Sequence, residues 1–105
     1  MAKSSDAQAL IGLCQLFKLL SDRTRMQIVM LLATGERNVT SLCEELKLPQ
    51  PTVSHHLGLL RMNRIIINKR LGKQVIYALD AAGGKAVKDK LKFNTAPFAV
   101  TVEGV

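Results

Sequence analysis

Acidic residues are missing from a long central stretch of this chain: none lies between Glu45 and Asp80. Lys47, Arg61, Arg64, Lys69, Arg70 and Lys73 all fall there. A field of one sign implies a polyanionic partner, nucleic acid or an acidic membrane surface. Aromatics are also scarce, at 4% with no Trp, so the core must be aliphatic. The only cysteines, Cys14 and Cys43, are far apart and neither belongs to a Cys-x-x-Cys pair, which excludes a disulfide framework. No apolar run approaches the roughly 18 residues of a membrane span. The opening Met-Ala-Lys-Ser-Ser-Asp lacks the apolar stretch of a secretory signal, so a soluble, cytoplasmic protein without membrane association is expected. There is no Ser-His-Asp constellation, no Gly-rich phosphate loop and no convergent set of acids, so nothing supports an enzyme.

What is present suits one small domain. The chain has 105 residues, 48% of them apolar, and a formal charge of +7. One domain over 1–105 is expected, with its core over about 6–92 and a C-terminal tail at 93–105. There is no internal repeat or low-complexity segment. Asp6, Asp22, Glu36, Glu44 and Glu45 put most of the acid in the first half.

The most informative stretch is Leu48-Pro-Gln-Pro-Thr-Val-Ser-His-His-Leu-Gly-Leu-Leu60. Pro51 suits the first turn of a helix, where its missing N–H would be unpaired anyway. Val53, Leu57 and Leu60 recur at helical spacing as an apolar stripe. Gln50, Thr52, Ser54 and His55 lie off it and offer donors and acceptors outward. Such a helix fits base reading in a DNA major groove. An amphipathic surface helix touching only water has the same pattern.

The chain before this helix is helical. Residues 1–5 read as frayed, and a helix begins near Ser5 or Asp6, both good N-caps. Leu10, Leu13, Cys14, Phe17 and Leu20 form one stripe of it, with Ile11, Leu16 and Leu19 on other faces. A helix apolar around most of its circumference either is deeply buried or packs two ways, onto its own domain and onto a partner. Ser21-Asp22 opens a second helix, Asp22–Thr34, with Ile28, Leu31 and Leu32 inward and Gly35 as its stop. Thr40 is the expected N-cap of a short third helix carrying Leu42 and Leu46. Two short helices joined by a tight break at Lys47-Leu48-Pro49 have helix-turn-helix geometry.

After Leu60 the period changes. Arg64–Arg70 is β-branched and strand-like, Leu71-Gly72-Lys73 is a turn, and Gln74–Leu79 is a second strand. The hairpin would project Lys69, Arg70 and Lys73 together, as a phosphate-gripping wing or as a solvated turn. Asp80 can cap a last helix to about Lys92, with Val87 and Leu91 as its seam, although Gly83-Gly84 weakens its start. Phe98, Val100 and Val102 alternate like a strand, and a disordered tail fits them equally. The expected fold is mostly α with a small β-hairpin, in the order α-α-α-α-β-β-α.

Three segments resemble the ArsR/SmtB-type winged-helix repressors. They are Leu20-Ser-Asp-Arg-Thr-Arg-Met-Gln-Ile-Val-Met-Leu-Leu32, Gln50-Pro-Thr-Val-Ser-His-His-Leu57 and Lys69-Arg-Leu-Gly-Lys-Gln-Val-Ile-Tyr-Ala-Leu79. Together they cover about residues 10–80. The resemblance implies a winged helix-turn-helix, a homodimer, and a transcriptional repressor on double-stranded DNA at an imperfect inverted repeat. Dimerisation in that family usually uses the first and last helices, which would account for Leu10, Leu13, Cys14 and Phe17.

The metal-sensing part of the resemblance fails. The Cys-x-Cys of the family's sensors falls at Asn38 and Thr40, and no His or Cys follows Tyr77. His55 and His56 point about 100° apart on a helix and chelate poorly. Zn²⁺ or a soft metal would want about four convergent ligands, so no metal and no cofactor is expected, and the inducer has no motif. Arg64 stands where many members have Gly, so Asn63 or Arg64 must manage the chain reversal.

The expected DNA contacts are Gln50, Thr52, Ser54, His55, His56, Lys69, Arg70 and Lys73. His55 comes first. His56 lies closer to the apolar side, and a structural role is its alternative. Cys14 and Cys43 read as small buried hydrophobes, with a thiol-responsive repressor as the other reading. Met26, Met30 and Met62 read as core filler. A winged helix serving as a protein-interaction or architectural module is the competing function.

Overall fold

The computed structural model describes residues 4–81 and 83–104, with side chains from Asp6 onward. Residues 1–3, most of the segment expected to fray, lie outside it. Ser4 and Ser5 are already helical. The order is α1 (Ser4–Leu20), α2 (Arg23–Thr34), β1 (Arg37–Asn38), α3 (Val39–Leu46), α4 (Gln50–Met62), β2 (Ile66–Leu71) and β3 (Gln74–Leu79), then β4 (Gly84–Val87), β5 (Lys90–Thr95) and β6 (Phe98–Glu103).

Local chemistry sets the helix ends. Asp22 caps α2, its Oδ1 accepting the Arg25 backbone N–H at 3.0 Å. That bond is the main reason the Asp22 carboxyl sits below the usual carboxylate range, and the Arg25 guanidinium adds to it. A depressed carboxyl stabilises the fold above its ordinary range and loses that contribution as acid protonates it. The cap of α3 is Asn38, not Thr40: Asn38 Oδ1 accepts from the Ser41 N–H at 2.8 Å. Lys47, at φ 57°, closes α3 in the left-handed region and leads into the turn before α4. Arg64, at φ 59°, takes the same conformation after α4, and the Ile65 N–H then returns to the Leu60 carbonyl. It is therefore Arg64 that manages the reversal, and β2 begins at Ile66.

The helices share one aliphatic core. Leu16, Leu19, Ile28, Val29, Leu32, Leu42, Val53, Leu57, Leu60, Ile65 and Ile66 are buried in it. Met26 and Cys43 pack partly against this core. Met30 and Met62 do not, being 42% and 79% exposed. Cys14 is exposed as well, contrary to its reading as a buried hydrophobe. One three-stranded sheet, in the order β1-β3-β2, forms the hairpin and anchors it beside α3.

Among the described residues the expected last helix does not form. Residues 84–103 form a second antiparallel sheet, in the order β4-β5-β6. Val87 and Leu91 look like a helical seam only while Phe93 is ignored. Read with period two, Leu91 and Phe93 point inward and are fully buried, while Lys90, Lys92 and Asn94 point out. Val100 and Val102 sit opposite Phe93 and Leu91 and pack on the same core. The segment expected as a tail thus supplies half of β5 and all of β6. The glycines decide against helix here. A Cβ on Gly83 would lie 2.0 Å from the Arg64 carbonyl oxygen, so only Gly lets this turn close over the end of α4.

Candidate nucleic-acid interface

The α3–α4 pair presents α4 with one face sealed and the other open. Val53, Leu57 and Leu60 are buried to within 1%. Gln50, Thr52 and His55 are exposed on the opposite side, with Ser54 half-buried between them. Gln50 Nε2 donates to Ser54 Oγ at 2.9 Å. That leaves the Ser54 hydroxyl hydrogen and Gln50 Oε1 for an outside partner. Beyond its chain neighbours and the helix's own backbone, nothing lies within 4 Å of where a Gly58 Cβ would sit, so this face is open to close approach. Arg61 continues the Ser54–Gly58 line by one more turn, and its Nη1 reaches Asn68 Oδ1 at 3.4 Å. Arg61 counts in the basic stretch but not among the expected DNA contacts, although its i, i+4, i+7 spacing with Ser54 and Gly58 marks it.

The two histidines separate. His55 is exposed, and its ring stands 5.6 Å from that of His56 in an edge contact. His56 is half-buried and faces α2, its Nδ1 lying 3.3 Å from Arg25 Nη1.

The hairpin does not project its three bases together. Lys69 pairs with Ile76, Arg70 with Val75, so the two side chains leave opposite faces of the strand. Lys69 Nζ instead lies 2.7 Å from Glu36 Oε2. Arg70 and Lys73 remain exposed at the tip, where Gly72 takes φ 63°. Replacing Arg70 or Lys73 by Ala should weaken binding to every duplex about equally and lower the salt slope by about 1. Lys69→Ala should do less, and Glu36→Gln, which frees Lys69, should strengthen binding. Dissociation constants measured against salt concentration check this; an equal effect at all three bases would mean the Lys69–Glu36 pair breaks freely on DNA.

Among the described residues no three of His, Cys, Asp or Glu converge to hold a metal ion, and no helix is long and apolar enough to cross a membrane.

Residues 22–68 match the bacterial regulatory protein arsR family. The chain is 34% identical over 64 residues to the transcriptional repressor SdpR of Bacillus subtilis, covering 61% of this chain and 71% of that protein. This protein belongs to the ArsR family. Its fold is the winged helix-turn-helix of that family's regulators. The arsenical resistance operon repressor of Escherichia coli is 47% identical over 66 residues, or 62% of this ArsR-family chain and 56% of its own length, so the chain spans little more than half of that relative. Among solved structures, the homodimeric winged helix-turn-helix DNA-binding domain of a possible ArsR-family regulator from Mycobacterium bovis superposes with TM-score 0.71 at 26% identity, covering 76% of this chain and 74% of that one. The family match ends at Asn68, ahead of the whole β4–β6 sheet.

Proposed function

We propose that this ArsR-family protein is a cytoplasmic homodimeric repressor that binds an inverted-repeat operator in double-stranded DNA. In this reading Gln50, Thr52, Ser54 and His55 read bases, and Arg70, Lys73 and, less strongly, Lys69 hold phosphates. The observation that carries it is α4 itself. Its apolar stripe is sealed against the core while a row of small polar groups and an imidazole stands open on the other side. Leu10, Leu13, Cys14 and Phe17 of α1 meet a second copy. The signal that releases DNA is not a metal held at the sensor positions. At one of them, Asn38, the carbonyl oxygen is already spent on capping α3.

The test is selection of bound sequences from random duplexes, followed by affinities for wild type and His55→Ala. The variant should lose roughly 1–3 kcal/mol on the selected duplex and almost nothing on a scrambled one. A uniform loss across sequences would place His55 on a phosphate. Selection that enriches no sequence, with a steep salt slope, would favour the architectural module.

A further inference from the structure

His56 is the one polar group of the α4 signature that turns inward, and its surroundings restrict its protonation. Arg25 Nη1 can only donate, so the 3.3 Å contact is a hydrogen bond when His56 Nδ1 accepts and the ring proton sits on Nε2. Arg25 is no loose surface base. Its Nε donates to the Leu19 carbonyl at 2.8 Å, its Nη1 lies 3.9 Å from Asp22 Oδ2, and its side chain is only 16% exposed. One guanidinium therefore joins the end of α1, the cap of α2 and the middle of α4. Leu19 is itself a core residue, so the brace starts from a fixed point.

We propose that His56, in its neutral form, is a positioning residue that holds α4 through Arg25, and that protonating it releases α4 and reduces operator discrimination. The inference rests on the reading of α4 as the base-reading helix. His56 adjoins His55, so a change in how α4 is anchored is transmitted directly to the exposed imidazole. Protonation of Nδ1 would set two donors of like charge 3.3 Å apart. Three groups face the His56 ring. Arg25 opposes the imidazolium, Asp22 favours it, and His55 meets the ring edge to edge without bonding to its nitrogens. Asp22 is itself engaged by Arg25, its Oδ1 accepting the Arg25 backbone N–H and its Oδ2 lying 3.9 Å from Arg25 Nη1. The brace needs the neutral ring. It is present while the ring is neutral and is lost once acid protonates the ring. This is the opposite sign from a histidine on a phosphate, where acid strengthens binding to every duplex.

The experiment compares wild type, His56→Asn and His56→Ala at pH 7.5 and 5.5 and constant salt. Asn keeps an acceptor near the position of Nδ1 and does not titrate. For wild type, the ratio of scrambled-duplex to selected-duplex dissociation constants should fall about tenfold in acid, the scale of one hydrogen bond to a charged group. His56→Asn should match wild type at pH 7.5 and stay flat, while His56→Ala should be low at both. A His56→Asn protein that keeps the wild-type pH dependence assigns the effect to His55 and overturns the proposal. So does a His56→Ala protein that discriminates like wild type at pH 7.5. Amide exchange of the free protein, corrected for intrinsic rates, tests the brace without DNA. Protection of α4 relative to α3 should drop in acid for wild type and hold for His56→Asn; unchanged wild-type protection overturns the proposal whatever the DNA results. If exchange behaves as expected but wild type does not discriminate between duplexes at pH 7.5, the brace stands and it is the base-reading assignment of α4 that fails.

Discussion

Replacing Phe93 by Ala should destabilise the folded chain by about 3–5 kcal/mol, the usual effect of removing a large aromatic from a closed core. Phe93 is fully buried and shares its cluster with residues of all four helices. Its ring lies 3.6 Å from where a Gly84 Cβ would stand, and the Gly84 site is itself 3.3 Å from the Ile65 carbonyl oxygen. Backbone and strand register therefore hold the walls of the site apart, and the space left by the ring cannot close easily. With total stability of a small domain at about 5–15 kcal/mol, the loss would leave a marginal protein. Urea unfolding followed by circular dichroism measures it. A loss under about 1 kcal/mol would mean that β4–β6 sits on the domain without belonging to its core.

The same segment marks where the sequence was hardest to read. The helix-turn-helix was legible because its signals agree: a Pro in the first turn, an apolar stripe of Val53, Leu57 and Leu60, and polar residues between them. All three apolar residues are buried. The hairpin was legible from β-branched runs around Gly72. From Asp80 onward the signals conflict. Lys85, Lys88, Lys90 and Lys92 suit the outer face of a helix as well as that of a strand. Lys88 supplies the turn by taking φ 52°, a conformation its side chain does not announce. The apolar pairs of β5 and β6 gain their burial from each other and from α1, through contacts no short window contains.

Sequence spacing placed His55 and Ser54 on the side of α4 away from its buried stripe. It could not show that Lys69 would find Glu36, since that pair closes between a strand and a distant turn. Nor could it choose a role for His56. That depends on Arg25, which is thirty-one positions away in the chain yet in hydrogen-bond contact with the ring.

Converting Leu10 and Phe17 together to Glu should yield a monomer and reduce affinity for a full inverted repeat by at least about a hundredfold, the lower end of what linked binding of two sites provides. Both side chains leave one face of α1, two helical turns apart, and are 54% and 53% exposed. Neither fills the chain's own core, which α1 serves through Leu16 and Leu19. Cys14 and Ile11 widen the same apolar face, and Phe98, paired with Thr95 where Gly12 meets β5, adds a 38% exposed ring. The family resemblance leads to the expectation that a last helix shares this surface. Here no helix follows α4 among the described residues, so in the proposed dimer the contact falls mainly to α1. Sedimentation at micromolar concentration checks the assembly, and a thermal melt checks that the charged variant still folds. Binding to a duplex with a single half-site should change little, since α4 and the hairpin are untouched. A variant that sediments as a dimer would remove α1 from the interface; a monomer with undiminished affinity for the inverted repeat would show that one copy reads its operator alone.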